Sequence, residues 1–491
     1  MWTGCARRPE RATPPTGADP TGGDSSGAAP TGADPVPLTA PSDITAPSVV
    51  APSGATEPTA REEDIGERAA WWSSGGAADG WERDIDALYP AAPGAELTSE
   101  LLAASGLAKA AFTEAAFTEA ELPEGGPPED AAVGGTYDPE PRPGGRGTDT
   151  APGADGSAGD PEPDVSPNGS LDRRIHAALV APVRHLLDSG GRRWRPRLMT
   201  AVIEALGGDG VRFGTLLAAC ELLHTGSLMI DDIQDRAPLR RGRRTAHTVY
   251  GTAATITAGT AAYFCLDRAI RRTLPPDPRL RTAVYEIYLT ALRAAHAGQA
   301  LDLQGHHEEM DLAVERGDVR PLLRMLALTH RLKSGAPVRA LFETAAVVGG
   351  ATAGQRAALG ALGEAVGMAY QITDDVADLR GVANEEGETK RVAEDLHNAK
   401  VTFPLAYAVT RLPGPEAAAL WERLRGGPDA RAVRRIARTI EACGALDRCE
   451  QRAAGLVEEA WAAVAEELPA TAAARRLRHL ADATVRRPRA G

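Results

Sequence analysis

Two aspartate-rich stretches have residue types and spacing suited to binding divalent metal ions. The first is HTGSLMIDDIQD at 224–235, and the second is YQITDDVADLRG at 370–381. Their aspartates are Asp231, Asp232, Asp235, Asp374, Asp375 and Asp378. Aspartates four apart on a helix share a face, where like charges cost stability unless a cation lies between them. One such motif is as well explained by an acidic surface cluster, but two imply facing acidic walls that divalent cations neutralise. Oxygen ligands suit Mg²⁺ shared between carboxylates and substrate phosphates, so the pair predicts a diphosphate bound through Mg²⁺.

Two arginine clusters could bind a second diphosphate without metal. GGRRWRPRL at 190–198 presents Arg192, Arg193 and Arg195, and RAPLRRGRRTAH at 236–247 presents Arg240 and Arg241. Either cluster alone is more simply a solvated basic face. Arginine makes paired hydrogen bonds to phosphate oxygens, however, and the second cluster directly follows the first acidic motif. Together the clusters predict a metal-free diphosphate site beside the metal site.

The segments that carry these motifs are predicted to be helical. From about residue 171 onward, apolar residues recur every three to four positions, as in LLAACELLHTGSLM and ALGALGEAVGMAYQITDDVADL. Gly and Pro separate these segments, and no strand pattern is convincing. The sequence therefore predicts one all-α domain at 171–491, with helices packed around a central cavity.

Residues 1–170 have a different composition. They are rich in Pro, Gly, Ala, Thr and Ser, and their 29 acidic and 9 basic residues give a net charge of −20, whereas residues 171–491 carry +7. Such a segment cannot bury enough apolar surface to offset the entropy of ordering, so it is predicted to be a disordered extension. Two stretches within it, EEDIGERAAWWSSGGAADGWERDIDALYP and the repeated AFTEA, are interpreted as nascent helices.

Several classes of protein are disfavoured by the cysteine pattern and by hydropathy. Five cysteines show no CxxC spacing, so neither a disulfide framework nor a structural zinc site is predicted. The first residues lack an apolar signal core, and no run of 18 apolar residues occurs. These features predict a soluble, cytoplasmic protein with no membrane segment, and no nucleic-acid partner is expected.

The order of the motifs resembles that of the all-trans polyprenyl diphosphate synthases, which are class I isoprenoid synthases. GGxRxRP is followed by HxxSLxxDDxxD, RRG, GQxxD, KS, QxxDDxxD and DLxxxKxTxP, and the resemblance covers the chain from about residue 171 to its end. It implies a class I helical bundle, Mg²⁺ as cofactor and a homodimer. It also implies head-to-tail condensation of isopentenyl diphosphate with an allylic diphosphate.

The resemblance further implies a role for each matching residue. The main Mg²⁺ ligands would be Asp231, Asp235 and Asp374, supported by Asp232, Asp375 and Asp378. Isopentenyl diphosphate would be bound by Arg192, Arg195, His224 and Arg241. The allylic diphosphate would be bound by Arg240, Lys333, Ser334, Gln371, Lys390 and Lys400, with Lys333 also assisting catalysis, beside a cavity-lining pair, Gln299 and Asp302. A histidine at position 224 would by itself more often belong to the core; its place seven residues before Asp231 points to substrate.

Some positions depart from the family pattern. Arg192 replaces the usual Lys, Ile230 replaces a common His, Ser334 replaces the usual Thr, and Ala393 and Ala399 replace two glycines. None of these changes removes an expected ligand.

Two other functions share part of the pattern. A class I terpene cyclase would have the same fold and first acidic motif, but the Asn/Ser/Glu metal triad of cyclases is missing from TDDVADLRGVANEEGE. A non-catalytic regulatory partner of such a synthase would be expected to have broken aspartate motifs, and both motifs are intact here.

Product length is predicted from the helix that carries Asp231. Gly226 and Ser227 are too small to block a growing chain, whereas Leu222 and Leu223 lie one turn deeper. Each turn adds roughly 5 Å of depth, about one isoprene unit. This predicts geranylgeranyl diphosphate (C20) as the main product, with C25 as the alternative, unless Gly226 only permits close helix packing.

Overall fold

A computed structural model of the chain describes residues 81–104, 167–381, 383–384, 387–388 and 392–486, and these residues are almost all helical. The predicted all-α class is therefore confirmed. The helices are α1 (Glu82–Leu88), α2 (Ala95–Ala104), α3 (Pro167–Ile175), α4 (Ala181–Leu187), α5 (Trp194–Ala205), α6 (Gly214–Gln234), α7 (Ala246–Tyr250), α8 (Thr252–Tyr263), α9 (Cys265–Thr273), α10 (Pro278–Gln304), α11 (His307–Arg316), α12 (Arg320–His330), α13 (Ala336–Val348), α14 (Ala353–Arg380), α15 (Glu394–His397), α16 (Phe403–Arg411), α17 (Gly414–Arg425), α18 (Ala430–Ala442), α19 (Ala445–Glu467) and α20 (Ala472–Val485).

Short irregular elements join some of these helices. A π-helical turn at His176–Val180 connects α3 to α4, and another at Arg331–Gly335 connects α12 to α13. Two antiparallel hairpins supply the strands of the described residues. They are β1 (Leu239–Arg240) with β2 (Arg243–Arg244), and β3 (Ala383–Asn384) with β4 (Gly387–Glu388).

The core is built from the longest helices, whose apolar faces meet around the cavity. Helix α14 packs against α13 and α19, α6 packs against α8 and α9, and α10 packs against α13. A capping box fixes the start of α14: the Thr352 hydroxyl accepts a hydrogen bond from the Gln355 N–H (3.2 Å), and the Gln355 side chain accepts one from the Thr352 N–H (3.0 Å). The helix ends at Gly381, whose φ of +81° leaves the helical region.

The π-helical turn that carries Lys333 and Ser334 is held between two long helices by glycines. A Cβ atom at Gly298 of α10 would lie 2.2 Å from the backbone nitrogen of Lys333. A Cβ atom at Gly367 of α14 would lie 2.3 Å from the carbonyl oxygen of Ser334. Because neither position has room for a side chain, the backbones approach closely, and Lys333 and Ser334 are fixed at the cavity.

Residues 81–104 require a correction to the predicted extension. They form α1 and α2, and Trp81, Ile85 and Leu88 are at most 5% exposed because they pack into the core of the domain. The spacing of these three residues places them on one helical face, a local pattern that the average composition of residues 1–170 does not reveal. Disorder is therefore ruled out for this part of 1–170, while 1–80 and 105–166 lie outside the described residues.

Ion pairs and hydrogen bonds also attach this segment to the domain. The Thr215 hydroxyl donates to Asp84 (3.0 Å), and Arg272 of α9 pairs with Glu100 (2.6 Å). The segment thus contacts both the start of α6 and the outer face of α9. Helix α3 begins at Pro167, four residues before the predicted domain boundary.

One helical stretch among the described residues, Gly210–Gln234, is long and apolar enough to cross a membrane by length and composition. It contains α6, and 61% of its most apolar window is buried inside the fold.

Candidate active site

Both aspartate motifs lie at the C-terminal ends of their helices and face one cavity. Asp231 lies in the last turn of α6, and Asp235 is its C-cap residue, while Asp374, Asp375 and Asp378 lie in the last two turns of α14. A helix C-terminus carries a partial negative charge, so these carboxylates are disfavoured there without a cation. The cavity has a volume of about 1200 Å³.

Most of the predicted site residues line this cavity. They are Arg192, Arg195, His224, Asp231, Asp235, Arg240, Arg241, Gln299, Lys333, Ser334, Gln371, Asp374, Asp375, Asp378 and Lys400. Asp232 and Asp302 lie behind this lining, and Lys390 lies outside the described residues.

In the first acidic wall, formed by the aspartates of 231–235, Asp231 and Asp232 lie in different environments. Burial, with the charge of Asp235, raises the pKa of Asp231 despite the attraction of Lys333. Asp232 is 1% exposed and pairs with Arg240 at 2.6 Å. Asp232 therefore anchors Arg240 at the cavity, whereas Asp231 is left as an unfavourable buried charge that a cation would stabilise.

The second acidic wall is held by a chain of polar contacts. Ser334 donates to the Gln371 side-chain oxygen (2.8 Å), and the Gln371 amide donates to Asp375 (3.2 Å). Burial and the charge of Asp395 raise the pKa of Asp375. His330 lies 3.6 Å from Asp375, but burial lowers the pKa of His330 to about 3, so it contributes no positive charge at neutral pH.

Two lysines share one buried aspartate. Asp302 accepts hydrogen bonds from Lys333 (2.6 Å) and Lys400 (2.9 Å). Burial opposes ionisation of Asp302, but the two lysines outweigh it and hold its pKa well below the usual value. Burial also opposes the charged form of Lys400 and by itself would lower its pKa, but the charges of Asp395 and Asp302 raise the pKa above its usual value. Asp302 thus positions two charged ammonium groups at the cavity and stands behind them.

The arginine clusters form a second, separate part of the site, which we name the arginine pocket: Arg193, Arg195 and Arg241 with His224. Arg195 stacks on the ring of Trp194 at 4.2 Å, and Arg241 donates to the carbonyl of Leu186 (3.2 Å). Burial, together with the nearby arginines, lowers the pKa of His224 well below its usual value. His224 is therefore a neutral hydrogen-bonding group at physiological pH and adds no positive charge.

Arg192 has a different set of partners in the structure. Its guanidinium donates to the carbonyl oxygens of Ala483 (3.0 Å) and Thr484 (3.2 Å), in the last turn of α20. A lysine ammonium lacks the planar fork that reaches two carbonyls in this way. Arg192 thus ties the C-terminal helix α20 to the cavity.

Glu221 also lines the cavity and was missed from the sequence. It is 2% exposed, and a carboxylate oxygen lies 3.7 Å from the Arg193 guanidinium. The available signal was an acid on the apolar part of α6, one turn before His224. Because Glu221 belongs to no recognisable motif, the sequence pattern predicts no role for it.

The apolar part of the cavity corrects the argument on product length. At about 100° per residue, Gly226 and Leu222 point roughly 140° and 180° away from Asp231 around α6. A Cβ atom at Gly226 would lie 2.4 Å from the carbonyl oxygen of Gly259 on α8, and Leu222 is fully buried in the core. Gly226 therefore serves helix packing. The α6 residues that face the apolar cavity are Cys220, Leu223, Ser227 and Leu228, opposite Tyr263, Leu266, Tyr288 and Leu292.

The donor set fits a divalent cation that is shared with a substrate. No group of three or more His, Cys, Asp or Glu side chains within the described ranges could hold a metal ion alone. Each acidic wall instead places one or two carboxylate groups at the cavity, and their oxygen atoms can act as metal ligands. Mg²⁺ is usually held in this way, by one or two carboxylates together with substrate phosphates.

Comparison with known proteins finds one matching family model, described as polyprenyl synthetase, over residues 176–442. The chain is 32% identical to a farnesyl diphosphate synthase from Geobacillus stearothermophilus over 234 residues, which cover 46% of this chain and 74% of that one. It is 27% identical to an octaprenyl diphosphate synthase from Escherichia coli, covering 62% and 88% of the two chains. A solved polyprenyl synthase from Caulobacter crescentus CB15, complexed with calcium and isoprenyl diphosphate, is 31% identical, with a TM-score of 0.56 and coverage of 63% and 89%.

Proposed function

We propose, from the premise that this chain belongs to the polyprenyl synthetase family, that it makes geranylgeranyl diphosphate by head-to-tail condensation in the presence of Mg²⁺. It is a prenyltransferase, and its substrates are isopentenyl diphosphate and an allylic diphosphate. The observation that carries the proposal is that the acidic walls, the lysine pair and the arginine pocket all open into one cavity with an apolar far end.

In the proposed mechanism the cavity binds two diphosphate groups, and a different set of residues acts on each of them. Asp231, Asp235 and Asp374 would hold Mg²⁺, which neutralises the allylic diphosphate and makes it a better leaving group. Lys333 and Lys400 donate hydrogen bonds to the same group as its charge grows. The allylic C–O bond then breaks, and the electron pair leaves with diphosphate.

The arginine pocket and the apolar wall serve the second half of the reaction. The arginines hold the diphosphate of isopentenyl diphosphate, so that its double bond lies beside the allylic cation and forms the new C–C bond. A proton is then lost to the departed diphosphate, which leaves a new allylic diphosphate five carbons longer. Side chains such as Leu223 and Leu292 exclude water, which would otherwise quench the cation.

The depth of the cavity supports a C20 product. The α6 residues that face the cavity extend from Asp231 back to Cys220, a length along the helix axis of about 16 Å or three turns. At about one isoprene unit per turn, this depth accepts a C15 allylic chain but not a C20 chain. A C20 product would therefore not be extended again. Relatives that make farnesyl and octaprenyl products show that similarity alone leaves the length open.

Product analysis tests both the activity and the length. The enzyme, given isopentenyl and farnesyl diphosphates with Mg²⁺, should release mainly C20 diphosphate. In Ser227→Phe, an aromatic ring four residues before Asp231 should block the elongation of farnesyl diphosphate. With dimethylallyl diphosphate as the primer, the same variant should release products of C15 or less. Gly226→Phe is the contrasting variant, because its ring meets the backbone of Gly259 and should lower stability without a defined change in length. Main products of C25 or longer would contradict the proposed depth, and a hydrocarbon product would indicate a cyclase.

We also propose a homodimer formed through α8 and α10. Ile256, Phe264 and Leu289 are 44%, 69% and 48% exposed, although they are large apolar residues. They lie on or next to adjoining helices, since Tyr288 of α10 donates to the carbonyl of Tyr263 at the end of α8. Light scattering at micromolar concentration should give a dimer, and Phe264→Glu should shift it to monomer. A wild-type monomer would contradict the proposal.

A further inference from the structure

One buried acid stands among the positive charges of the arginine pocket. Glu221 lies on α6, and its only charged contact within 4 Å among the described residues is with Arg193, at 3.7 Å. The second carboxylate oxygen of Glu221 and the Nη1 group of Arg193 are buried without a hydrogen-bond partner in the described part of the chain. The carboxylate is thus held near the arginine by charge and is not locked to it.

The arginines around Glu221 are constrained and repel each other. Arg193 and Arg241 have φ values of +47° and +53°, in the left-handed region that is costly for residues with a Cβ atom. Their guanidinium groups donate to carbonyls at the end of α4, Arg193 to Leu187 (2.5 Å) and Arg241 to Leu186 (3.2 Å). Burial and the neighbouring arginines lower the pKa of Arg241, while Glu221 raises it. Glu221 therefore offsets this repulsion when no other anion is present.

We infer that Glu221 is the resident counter-ion of the arginine pocket, and that a bound diphosphate takes over its role. Glu221 positions the arginines in the empty pocket and is a positioning residue with no contact to reacting atoms. Three guanidinium groups against one carboxylate leave the pocket positive, so a diphosphate still binds there. The same carboxylate weakens that binding, because it repels the incoming anion. This inference rests on the proposed function, in which the pocket holds isopentenyl diphosphate.

Opposite effects on stability and affinity follow from this role. Glu221→Gln keeps the size of the side chain and removes its charge. Without ligand, the variant should unfold at a lower temperature, because the arginines lose their counter-ion. It should nevertheless bind inorganic pyrophosphate more tightly, by about threefold to tenfold, as expected for removing one repelling charge at this range. A residue that only fills space would lower both stability and affinity.

The experiment compares wild type with Glu221→Gln in a chelator, so that no metal recruits pyrophosphate to the acidic walls. Thermal unfolding is followed with and without millimolar inorganic pyrophosphate, and affinity is measured by calorimetry. Pyrophosphate should raise the melting temperature of the variant more than that of wild type. Glu204→Gln is the matched control, because it removes a surface ion pair with Arg476 (3.1 Å) and should leave affinity unchanged.

Three results would overturn the inference. The first is equal or weaker pyrophosphate binding by Glu221→Gln, and the second is an unchanged melting temperature without ligand. The third is tighter binding that persists in Glu221→Gln combined with Arg241→Gln, which would place the anion elsewhere. If the variant folds only when purified with pyrophosphate, the inference is supported; if it fails to fold even then, the inference is rejected. Because these measurements involve no turnover, they can fail while the product assay still succeeds.

Discussion

Asp231 and Asp374 are half-buried carboxylates that lie near other acids and near the C-terminal ends of their helices, where negative charge is unfavourable without a cation. We predict that Asp231→Asn or Asp374→Asn lowers turnover at least about a hundredfold, since metal-assisted charge stabilisation supplies several kcal/mol. Without metal, the melting temperature should stay the same or rise. Steady-state kinetics and thermal unfolding of the same samples check both parts. Asp318→Asn, at a surface ion pair with Arg320, should leave turnover unchanged.

Asp302 should show a defined pH dependence through its lysine partners. Its pKa is lower in the folded state than the unfolded value of 3.8, so its contribution to stability is fully present above that pH. As pH falls below about 4, the unfolded state takes up the proton first and the contribution is lost. Melting temperatures of wild type and Asp302→Asn should therefore differ at pH 7 and converge on acidification. A difference that is constant down to pH 2 would contradict this.

Spacing in the sequence indicated which motif residues lie together, and it gave no indication for residues that stand alone. The described aspartates, arginines and lysines of the motifs lie in the cavity lining or directly behind it, while their roles stay predictions. Glu221 carries no spacing signal. Helical periodicity alone places Gly226 away from Asp231, but its close contact with Gly259 on α8 is visible only in the folded chain. The charge state of His224 could not be deduced either, because it depends on arginines that are close only in the folded chain.

At the scale of elements, the segment leading to Lys400 contains an avoidable backbone strain. Ala393 and Ala399, where the related family has glycine, adopt φ values of +55° and +51°. Left-handed conformations cost about 1–2 kcal/mol for residues with a Cβ atom, and glycine avoids this cost. After allowance for the greater freedom of glycine in the unfolded chain, Ala399→Gly should stabilise the protein by about 0.5–1 kcal/mol. Ala393 is 3% exposed, so loss of its buried methyl group should offset most of the same gain in Ala393→Gly.

Denaturant unfolding measures this difference directly. The matched control is Ala463→Gly, an exposed position inside α19, which should destabilise by about 1 kcal/mol. If all three substitutions destabilise equally, the strain at 393 and 399 is not present in solution. The sequence alone showed the two replacements but not their φ values, since a loop conformation depends on contacts such as the Ala393 N–H donating to the Asp378 carbonyl (2.7 Å).

At the scale of the whole molecule, the catalytic domain includes residues that its composition assigned to a tail. We predict that a chain starting at residue 81 melts at the same temperature as the full chain. A chain starting at residue 105 loses α1 and α2, including the buried Trp81 and Leu88, and should melt several degrees lower. Differential scanning calorimetry of the two truncated chains decides this. Equal melting temperatures would mean that α1 and α2 add nothing to stability.

The position of α1 and α2 has a consequence for the segment that follows them. Since α2 packs against α3, the chain on either side of residues 105–166 is fixed on two contacting helices, and folding must bring those two helices together. The entropy of closing a loop grows only with the logarithm of its length, so doubling it costs roughly 0.6 kcal/mol. We therefore expect insertions and deletions there to change the free energy of unfolding little. The connection is therefore a place where the chain can change length, or accept a separate folded unit, while the catalytic domain keeps its stability.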